Sequence, residues 1–486
     1  MLIPTERIAM ALASANLLVE VRGALPDWVT SVDDDSRRVH RASLFVAVKG
    51  SERDGHNYLE RARAAGAAAA VVEDASRTAL PALVVSDGRL AAPIVAAAAY
   101  DWPAKRLRLL GVTGTNGKST TVHIIRHLLD EPGARAASVG TVGVLVGSGG
   151  TPLPDTSGLT TPGPVELQAG LRRLVDAGVR SVAMEVSSHA LDQHRVDALT
   201  FEAVVFTNLT RDHLDYHGSM TAYRSAKARL VDQLAPEGTL VVNAEDPAWR
   251  SLRAAKRCTF GTRGRADFGA RGARFNSTGT RFTLVAARAT YDVVLPLVGD
   301  FNVANALGAA AAAYATGLPL DAIARRLASV PQTPGRLEVI HREPTVLRDY
   351  AHTPDALERA LRAVRPFTRG RLIVVFGAGG DRDKGKRPLM GGIAERLADI
   401  VIVTSDNPRT EDPERILDDI EAGMTRGEHG RIEDRREAIA RALALAKSDD
   451  VIVLAGKGHE TYQIRGTEKL PFDEKRIVAD LARARA

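Results

Sequence analysis

The chain has 486 residues, of which 45% are hydrophobic and 26% charged, a composition typical of a soluble globular protein with about three domains. The net charge of +6 comes from scattered basic residues, so the sequence favours an anionic small substrate over nucleic acid. The only cysteine, Cys258, excludes a disulfide framework and a cysteine-based zinc cluster.

The N-terminal part of the chain predicts a small α/β domain over residues 1–103. In MLIPTERIAMALASANLLVEV, the spacing of Ile8, Leu12 and Leu17-Leu18 predicts a short amphipathic helix, and Glu6 argues against a secretory signal peptide. SLFVAVKG predicts a strand, and YLERARAAGAAAAVVED predicts a helix followed by a strand. No run reaches the roughly 18 apolar residues that a membrane span needs, so we expect a cytoplasmic protein without a membrane partner.

The central part, residues 104–334, alternates strands and helices. Short apolar runs that end in polar residues predict four strands: LRLLGVT, SVAMEVS, AVVFTNL and TLVVNAE. Two segments with helical periodicity separate them: STTVHIIRHLLD and PGPVELQAGLRRLVDAG. This alternation predicts a mainly parallel sheet covered by helices. The stretch 265–297 alternates more like antiparallel strands, and VPQTPGR predicts a linker.

The C-terminal part, residues 335–486, predicts a smaller Rossmann-like α/β domain. Its strands RLIVVF, DIVIV and DDVIVLA each end in a charged or glycine-rich loop, and ligands bind at that edge of a parallel sheet. One such loop is Asp406-Asn407-Pro408-Arg409. Because proline fixes its own φ and restricts the residue before it, the loop presents a carboxylate and a guanidinium at fixed positions. This pattern favours a small ligand that carries charges of both signs.

The segment GVTGTNGKSTT follows a strand and opens a helix, which is the context of a phosphate-binding loop. Gly114 and Gly117 allow the backbone to approach an anion, Lys118 adds a charge for the β- and γ-phosphates, and Ser119 offers a hydroxyl to Mg²⁺. The common phosphate-loop pattern G-x-x-x-x-G-K-[ST] is not matched at its first position. That glycine would fall on Val112, whereas the glycine of this chain is Gly111. The candidate ATP-binding residues are Gly114, Thr115, Asn116, Gly117, Lys118, Ser119 and Thr120.

An acid and an imidazole follow two neighbouring predicted strands. Glu185 ends SVAMEVS, and His213 lies just past AVVFTNL. Both should lie at the edge that carries the phosphate loop, where they are natural ligands for Mg²⁺ or Mn²⁺. Lys227 lies on a later helix between Arg224 and Arg229, and this pattern by itself predicts a solvated charge.

The order of the motifs along nearly the whole chain resembles the Mur ligases. The motifs are GTNGKST, EVSSHALDQHRV, TNLTRDHLDYHG, AKARL, GDFNVANALGA, GRLE, DYAHTPDAL, GGDRDKGKRPLM, DNPR and GKGHE. The phosphate loop is shared with folylpolyglutamate synthases. The combination of DYAHTPDAL, GGDRDKGKRP and DNPR is narrower and is similar to the branch that adds the third residue of the peptidoglycan stem peptide.

This resemblance implies an α/β protein of three domains, which bind the UDP end of the substrate, ATP and the incoming amino acid in that order. It implies ATP- and Mg²⁺-dependent addition of meso-diaminopimelate to UDP-MurNAc-L-Ala-D-Glu through an acyl phosphate. It further implies a monomer that acts in peptidoglycan synthesis, and hence in cell shape and division.

The resemblance also implies roles for individual residues. Ser36 would contact the uridine end, and the muramoyl dipeptide would be held by Thr160, Thr161, Ser187, Gln193 and Arg195. Nucleotide contacts would come from Asn302, Arg336 and Asp349. Lys227 would be carbamylated and so become an anionic metal ligand beside Ser119, Glu185 and His213. Arg382 and Arg409 would hold the distal carboxylate of diaminopimelate, Glu460 would accept from its distal ammonium, and the pocket would be completed by Asp406, Asn407, Pro408 and Gly456.

Two alternatives remain open at this point. One is another ligase of the same fold, such as a lysine-adding enzyme, a MurF-like enzyme or a folylpolyglutamate synthase. Arg409 argues against lysine, which has no distal carboxylate to pair with it. The other is a phosphate-loop ATPase that acts as a switch or a nucleic-acid motor, but no basic and aromatic groove is evident in the sequence.

Overall fold

The structure is a computed structural model that describes residues 2–50, 53–154, 159–276 and 278–484. It divides into two compact units, Met1–Phe268 with Gly308–Ile323, and Gly269–Leu307 with Ala324–Ala486. Both units are built from parallel sheets and helices, as predicted. The boundaries of the three predicted domains stay a prediction.

The first unit contains eight complete helices and fifteen complete strands within its described residues. The helices are α1 (Thr5–Ser14), α2 (Leu59–Ala64), α3 (Gly88–Ala99), α4 (Lys118–Leu129), α5 (Pro164–Asp176), α6 (Ser188–Asp192), α7 (Leu214–His217) and α8 (Met220–Ala228). The strands are β1 (Ile3–Pro4), β2 (Leu18–Arg22), β3 (Trp28–Val29), β4 (Val32–Asp33), β5 (Leu44–Val46), β6 (Ala69–Val72), β7 (Ala82–Val85), β8 (Arg108–Thr113), β9 (Arg135–Gly140), β10 (Gly143–Val146), β11 (Thr151–Pro152), β12 (Val179–Glu185), β13 (Phe201–Phe206), β14 (Leu234–Asn243) and β15 (Lys256–Gly261).

The N-terminal sheet has the order β2-β7-β6-β5-β4. Strands β4 to β7 are parallel, and β2 pairs antiparallel with β7 at one edge. The predicted N-terminal helix is confirmed, but it ends at Ser14. The prediction that Leu17 and Leu18 belong to it is wrong, because Asn16 takes a positive φ of 56° and turns the chain into β2.

The larger sheet of the first unit has the strand order β11-β10-β9-β12-β8-β13-β14-β15. Strands β9, β12, β8, β13, β14 and β15 are parallel, which confirms the prediction for the central region. Glu185 pairs with Val112, and Phe206 pairs with Thr113, in the register of β12, β8 and β13. The carboxyl ends of these three strands therefore share one edge of the sheet, and the phosphate loop leaves from it.

The remaining strands and helices lie wholly or partly in the second unit, and β16 begins at Phe268, the last residue of the first segment of the first unit. The strands are β16 (Phe268–Asn276), β17 (Gly279–Ala286), β18 (Ala289–Leu295), β19 (Glu338–Arg342), β20 (Thr345–Asp349), β21 (Leu372–Phe376), β22 (Ile400–Val403), β23 (Gly430–Arg431), β24 (Val451–Ala455), β25 (Tyr462–Arg465) and β26 (Glu468–Pro471). The helices are α9 (Phe301–Ala315), α10 (Leu320–Leu327), α11 (Pro354–Val364), α12 (Lys386–Leu397), α13 (Pro413–Glu421), α14 (Arg435–Leu445) and α15 (Glu474–Arg483). Both α9 and α10 include residues of each unit.

The C-terminal sheet has the order β19-β20-β24-β21-β22-β23 and is parallel except for β19. Alternate residues of its strands enter two separate cores: Val374 and Phe376 pack on one face, and Ile373 and Val375 on the other. Covering both faces explains why these strands are continuous apolar runs. The predicted antiparallel pairing within 265–297 is confirmed by β17 and β18. No helix of the described residues is long and apolar enough to cross a membrane.

Candidate active site

The phosphate loop of the first unit is fixed by the segment that follows β13. Asn208 accepts from the backbone N–H of Asn116 through its side-chain oxygen (3.0 Å) and from the N–H of Thr115 through its carbonyl (2.7 Å). Gly114 has a φ of 145°, and a Cβ there would overlap the Thr207 hydroxyl oxygen. Only glycine fits this position, and the loop is therefore held in shape before any ligand binds.

Two lysines converge on one carbonyl of this loop. Lys118, the first residue of α4, donates to the carbonyls of Gly114 and Thr115, at 2.9 Å each. Lys227 in the last turn of α8 also donates to the Gly114 carbonyl at 2.9 Å and is only 1% exposed. Burial, followed by the charge of Lys118, lowers the pKa of Lys227 well below its ordinary value. The interpretation of Lys227 as a solvated charge is wrong, because α8 turns this residue inwards.

Glu185 lies at the sheet edge, where the sequence predicted it. It is 2% exposed and accepts from the backbone N–H of Thr141 at 2.9 Å and from the Thr141 hydroxyl at 3.3 Å. Thr160 shares a hydrogen bond of 3.0 Å with the same hydroxyl. These contacts fix the carboxylate with acceptor capacity left for a further ligand.

His213 lies in a cluster of aromatic and imidazole rings beside α8. Its ring centroid is 4.8 Å from that of His189 and 6.1 Å from that of Tyr223, and the Tyr223 ring lies 4.6 Å from the Lys227 Nζ. Burial lowers the pKa of His213, and it lowers that of His189 to about 4. A neutral imidazole has a lone pair free to bind a metal. In the described parts of the chain, no three His, Cys, Asp or Glu side chains form a metal-binding group by themselves.

The predicted dipeptide-binding residues are brought together next to Glu185. The Thr161 hydroxyl donates to the Glu185 carbonyl at 2.9 Å and accepts from the Ser187 backbone N–H at 3.0 Å. Arg195 donates to the Thr161 carbonyl at 2.9 Å and to the Gln193 side-chain oxygen at 2.7 Å. These residues form one hydrogen-bonded polar cluster after β12, with Thr161 buried at its centre. Ser36 follows β4 and is buried.

The predicted nucleotide-contact residues of the second unit are largely engaged within the chain. Asn302 is buried and donates to the Val298 carbonyl at 2.7 Å. Asp349, at the end of β20, accepts from the backbone N–H groups of Leu337 (2.7 Å) and Ala351 (2.8 Å), and burial raises its pKa. The guanidinium of Arg336 lies 4.9 Å from the centroid of the Tyr350 ring.

The segment Asp406–Arg409 follows β22 at the carboxyl edge of the C-terminal sheet. Arg409 takes a positive φ of 53° and donates to the Gly380 carbonyl at 2.7 Å. A Cβ built on Gly379 would lie 3.0 Å from the Arg409 guanidinium and 3.8 Å from the Arg382 side chain, so the two arginines flank the same backbone. Arg382 is exposed. No carboxylate of the described chain lies within 4.0 Å of the Arg409 guanidinium.

A buried ammonium lies behind this segment. Lys457 donates to the Asn407 side-chain oxygen at 3.0 Å and to Glu460 Oε2 at 3.2 Å, and its Nζ is 3.7 Å from Asp406 Oδ1. Gly456 precedes it with a φ of 115°, and a Cβ there would overlap the Asp406 carboxylate. Asp406, Asn407, Gly456 and Glu460 are therefore one assembled cluster, as the sequence predicted, with Lys457 at its centre.

Three family profiles match most of the chain. The profile described as "Mur ligase family, catalytic domain" matches residues 29–103, "Mur ligase middle domain" matches 112–313, and "Mur ligase, glutamate ligase domain" matches 335–458. This chain belongs to the Mur ligase family.

Curated relatives and solved structures agree with this assignment. Proteins of Geobacillus kaustophilus (46% identical, covering 94% of this chain and 95% of the relative) and Synechococcus elongatus (44%, 96% and 97%) are both named UDP-N-acetylmuramoyl-L-alanyl-D-glutamate--2,6-diaminopimelate ligase. A solved structure of a ligase of that name is 34% identical with a TM-score of 0.67, covering 96% of this chain and 97% of the other. MurF from Acinetobacter baumannii is 20% identical with a TM-score of 0.68, covering 99% of each chain, and shares the fold.

The sequence alone did not point to several residues of this Mur ligase that contact the phosphate loop, the rings around His213 or the cluster of Asp406, Asn407 and Glu460. Asn208 lies in the quoted motif TNLTRDHLDYHG, and Lys457 lies in GKGHE, but neither was assigned a role. The signal for Lys457 was present, since it lies between two glycines that follow a buried strand. Tyr223 precedes Lys227 by one turn of α8, so its spacing was a signal for their contact. His189 carried no such signal, because its approach to His213 depends on tertiary packing.

Proposed function

We propose that this Mur ligase uses ATP to join meso-diaminopimelate to UDP-MurNAc-L-Ala-D-Glu, releasing ADP and phosphate. The choice of amino acid rests on the environment of Arg409. Its guanidinium is half-buried, and no carboxylate of the described residues neutralises it. The distal carboxylate of diaminopimelate would supply that charge, and guanidinium groups bind carboxylates bidentately. Relatives that are 44–46% identical carry the name of this activity.

Lysine is the amino acid that this pocket must exclude. It has the distal ammonium of diaminopimelate but lacks the distal carboxylate. Binding lysine would remove water from Arg409 without giving it a partner, and an unpaired charge in a desolvated site costs several kcal/mol. Glu460 would accept from the distal ammonium in either case, so discrimination rests on Arg409 with Arg382 beside it.

The reaction begins with the dipeptide's terminal carboxylate. A carboxylate oxygen attacks the γ-phosphorus of ATP, the bond to the bridging oxygen breaks, and ADP leaves. The amino group of diaminopimelate then attacks the acyl phosphate, and phosphate departs with formation of the amide. Phosphoryl transfer depends on positioning and charge neutralisation. We assign charge neutralisation to the phosphate loop with Lys118. We assign positioning of the dipeptide to the polar cluster around Thr161 and Arg195.

The residues around the loop fit a magnesium ion. Ser119, Glu185 and His213 offer a hydroxyl, a buried carboxylate and a neutral imidazole, and Mg²⁺ takes few protein ligands because substrate phosphates and water complete its shell. When bound there, Mg²⁺ would neutralise charge on the transferring phosphoryl group. A second carboxylate would come from Lys227 once it is carbamylated.

Lys227 has the properties that carbamylation requires. Its nitrogen shares the Gly114 carbonyl with Lys118, and burial lowers its pKa, which favours the neutral amine. A neutral amine can attack the carbon of CO₂; the new N–C bond forms, one proton is released, and an anionic carbamate results. The cationic Lys118, bonded to the same carbonyl, would stabilise that anion. We also propose that the enzyme is a monomer, acts in the cytoplasm and has no nucleic-acid partner.

The proposed function is tested by measuring phosphate release from ATP with UDP-MurNAc-L-Ala-D-Glu present and one amino acid added at a time. We expect release with meso-diaminopimelate and little release with L-lysine. The product should have the mass of the UDP-linked tripeptide. Equal or better turnover with lysine would refute the assignment of the amino acid. Phosphate release at the same rate without the UDP-linked substrate would refute the assignment of the chain as a ligase.

A further inference from the structure

Lys457 is a buried cation in the pocket proposed for diaminopimelate, and the reaction itself assigns it no role. It is 0% exposed, forms ion pairs with Glu460 (3.2 Å) and Asp406 (3.7 Å), and donates to the Asn407 amide oxygen at 3.0 Å. All three partners belong to the pocket proposed for the amino acid. The side chain of Lys457 is fully buried against them, so we expect it to act on the substrate through them.

The hydrogen bonds around Lys457 decide which way Asn407 points. The Asn407 amide oxygen accepts from Lys457 and from the Ile464 backbone N–H at 2.9 Å. Two donors on the oxygen fix the amide, so the NH₂ group is turned towards Glu460 and donates to its Oε2 at 2.9 Å. Without the ammonium, the amide would lose one of the two contacts that define its orientation.

The same ammonium decides which oxygen of Glu460 is available. Lys457 and Asn407 both bond to Oε2, whereas Oε1 accepts no hydrogen bond from any described residue. The Glu460 side chain is 15% exposed, so this second oxygen is the part that can meet a ligand. The carboxylate is thus held by one oxygen and presents the other.

We propose that Lys457 is a positioning residue that sets amino-acid affinity by holding Asn407 and Glu460, so that Oε1 of Glu460 faces the distal ammonium of the substrate. This inference rests on the proposed function, because diaminopimelate is the amino acid concerned. A preoriented acceptor binds an ammonium without first being ordered, and this lowers the cost of binding. Lys457 therefore acts through Glu460 and only on the step that binds the amino acid.

The test is a double-mutant cycle between Lys457→Met and Glu460→Gln, with KM measured for each of the three substrates. Methionine keeps the length and volume of the side chain but removes the charge. We expect Lys457→Met to raise the KM for meso-diaminopimelate by about 10- to 100-fold, with little change in the KM for ATP or the UDP-linked substrate. In the Glu460→Gln background the same substitution should have much less effect, because the group through which it acts is gone. Lys447→Met, on an exposed lysine of the same unit, is the matched control.

A purely structural role predicts a different pattern. In that case Lys457→Met would lower thermal stability and kcat while the KM for all three substrates moved together, or its effect would add fully to that of Glu460→Gln; either result overturns the proposal. If Lys457→Met does not fold, Lys457→Gln replaces it, and an unchanged KM for diaminopimelate would then refute the role. A wild-type enzyme inactive with diaminopimelate would refute the proposed function and this inference together. An active wild type with an unaffected Lys457→Met variant refutes the inference alone.

Discussion

Replacing Arg409 with alanine should weaken the binding of diaminopimelate and leave the other substrates almost unaffected. The guanidinium is half-buried, donates one hydrogen bond to the Gly380 carbonyl at 2.7 Å, and has no described carboxylate within 4.0 Å. The ligand's distal carboxylate would therefore be its charge partner. Arg409→Ala removes the guanidinium that would pair with this carboxylate. It leaves Asp406 and Asn407 in place, because their contacts do not involve the guanidinium.

The magnitude follows from the surroundings of Arg409. Truncating one partner of a buried, hydrogen-bonded charge pair costs about 2–5 kcal/mol. Arg409 is only half-buried, and the exposed Arg382 flanks the same glycine and can take part of the load. We therefore expect the lower part of that range, about 2–3 kcal/mol, or roughly a 30- to 150-fold increase in KM for diaminopimelate.

The assay is phosphate release at saturating ATP and UDP-linked substrate, with diaminopimelate varied and lysine tested as a competitor. Arg409→Lys should recover part of the affinity but not the bidentate fit. Arg441→Ala, on an exposed arginine of α14, is the control for loss of positive charge alone. Discrimination against lysine should shrink in Arg409→Ala. An Arg409→Ala variant that keeps the wild-type KM for diaminopimelate and still excludes lysine would show that specificity lies elsewhere.

Three further predictions concern the first unit. Lys118→Ala should lower kcat/KM at least about a hundredfold, since it removes the loop's cation for the β- and γ-phosphates; turnover within about tenfold of wild type would contradict its assignment. Lys227→Ala should lose activity and regain part of it with acetate or another short carboxylate, whereas a fully active variant would remove the carbamate from the mechanism. Burial raises the pKa of Cys258 to about 12, so reaction with a thiol reagent should be slow at neutral pH and rise about tenfold per pH unit towards that value; fast reaction of the native protein near pH 7 would refute this.

Much of the fold could be predicted because the strands obey a simple pattern. The apolar runs of β8, β12, β13, β21, β22 and β24 are largely buried and end in polar residues, and the structure places the ends of each within three residues of the predicted ones. The end of α1 could not be predicted from the spacing of Leu17 and Leu18. That end depends on the left-handed backbone of Asn16, which apolar periodicity does not reveal.

The residues of the candidate site also fall into those that the strand pattern predicts and those that depend on tertiary packing. Glu185 and His213 could be predicted because strand ends in a parallel sheet converge on one edge. The contacts of Thr161 with Ser187 and Arg195 follow the order of the motifs, but only the resemblance to known ligases pointed to them. The ring cluster around His213 could not be predicted, because it depends on how the start of α7 packs against His189 of α6 and Tyr223 of α8.

The two buried lysines show why residue type and local sequence could not settle the chemistry. Lys227 and Lys457 are both almost fully buried, yet their partners differ. Lys227 faces a carbonyl oxygen and the charge of Lys118, an environment that favours the neutral amine, as the proposed reaction with CO₂ requires. Lys457 faces two carboxylates and an amide oxygen, an environment in which an ammonium orients its neighbours. The environment of each buried lysine is therefore set by the groups that the fold places against it, and several of these, such as Gly114 for Lys227 and Asn407 for Lys457, are distant in sequence.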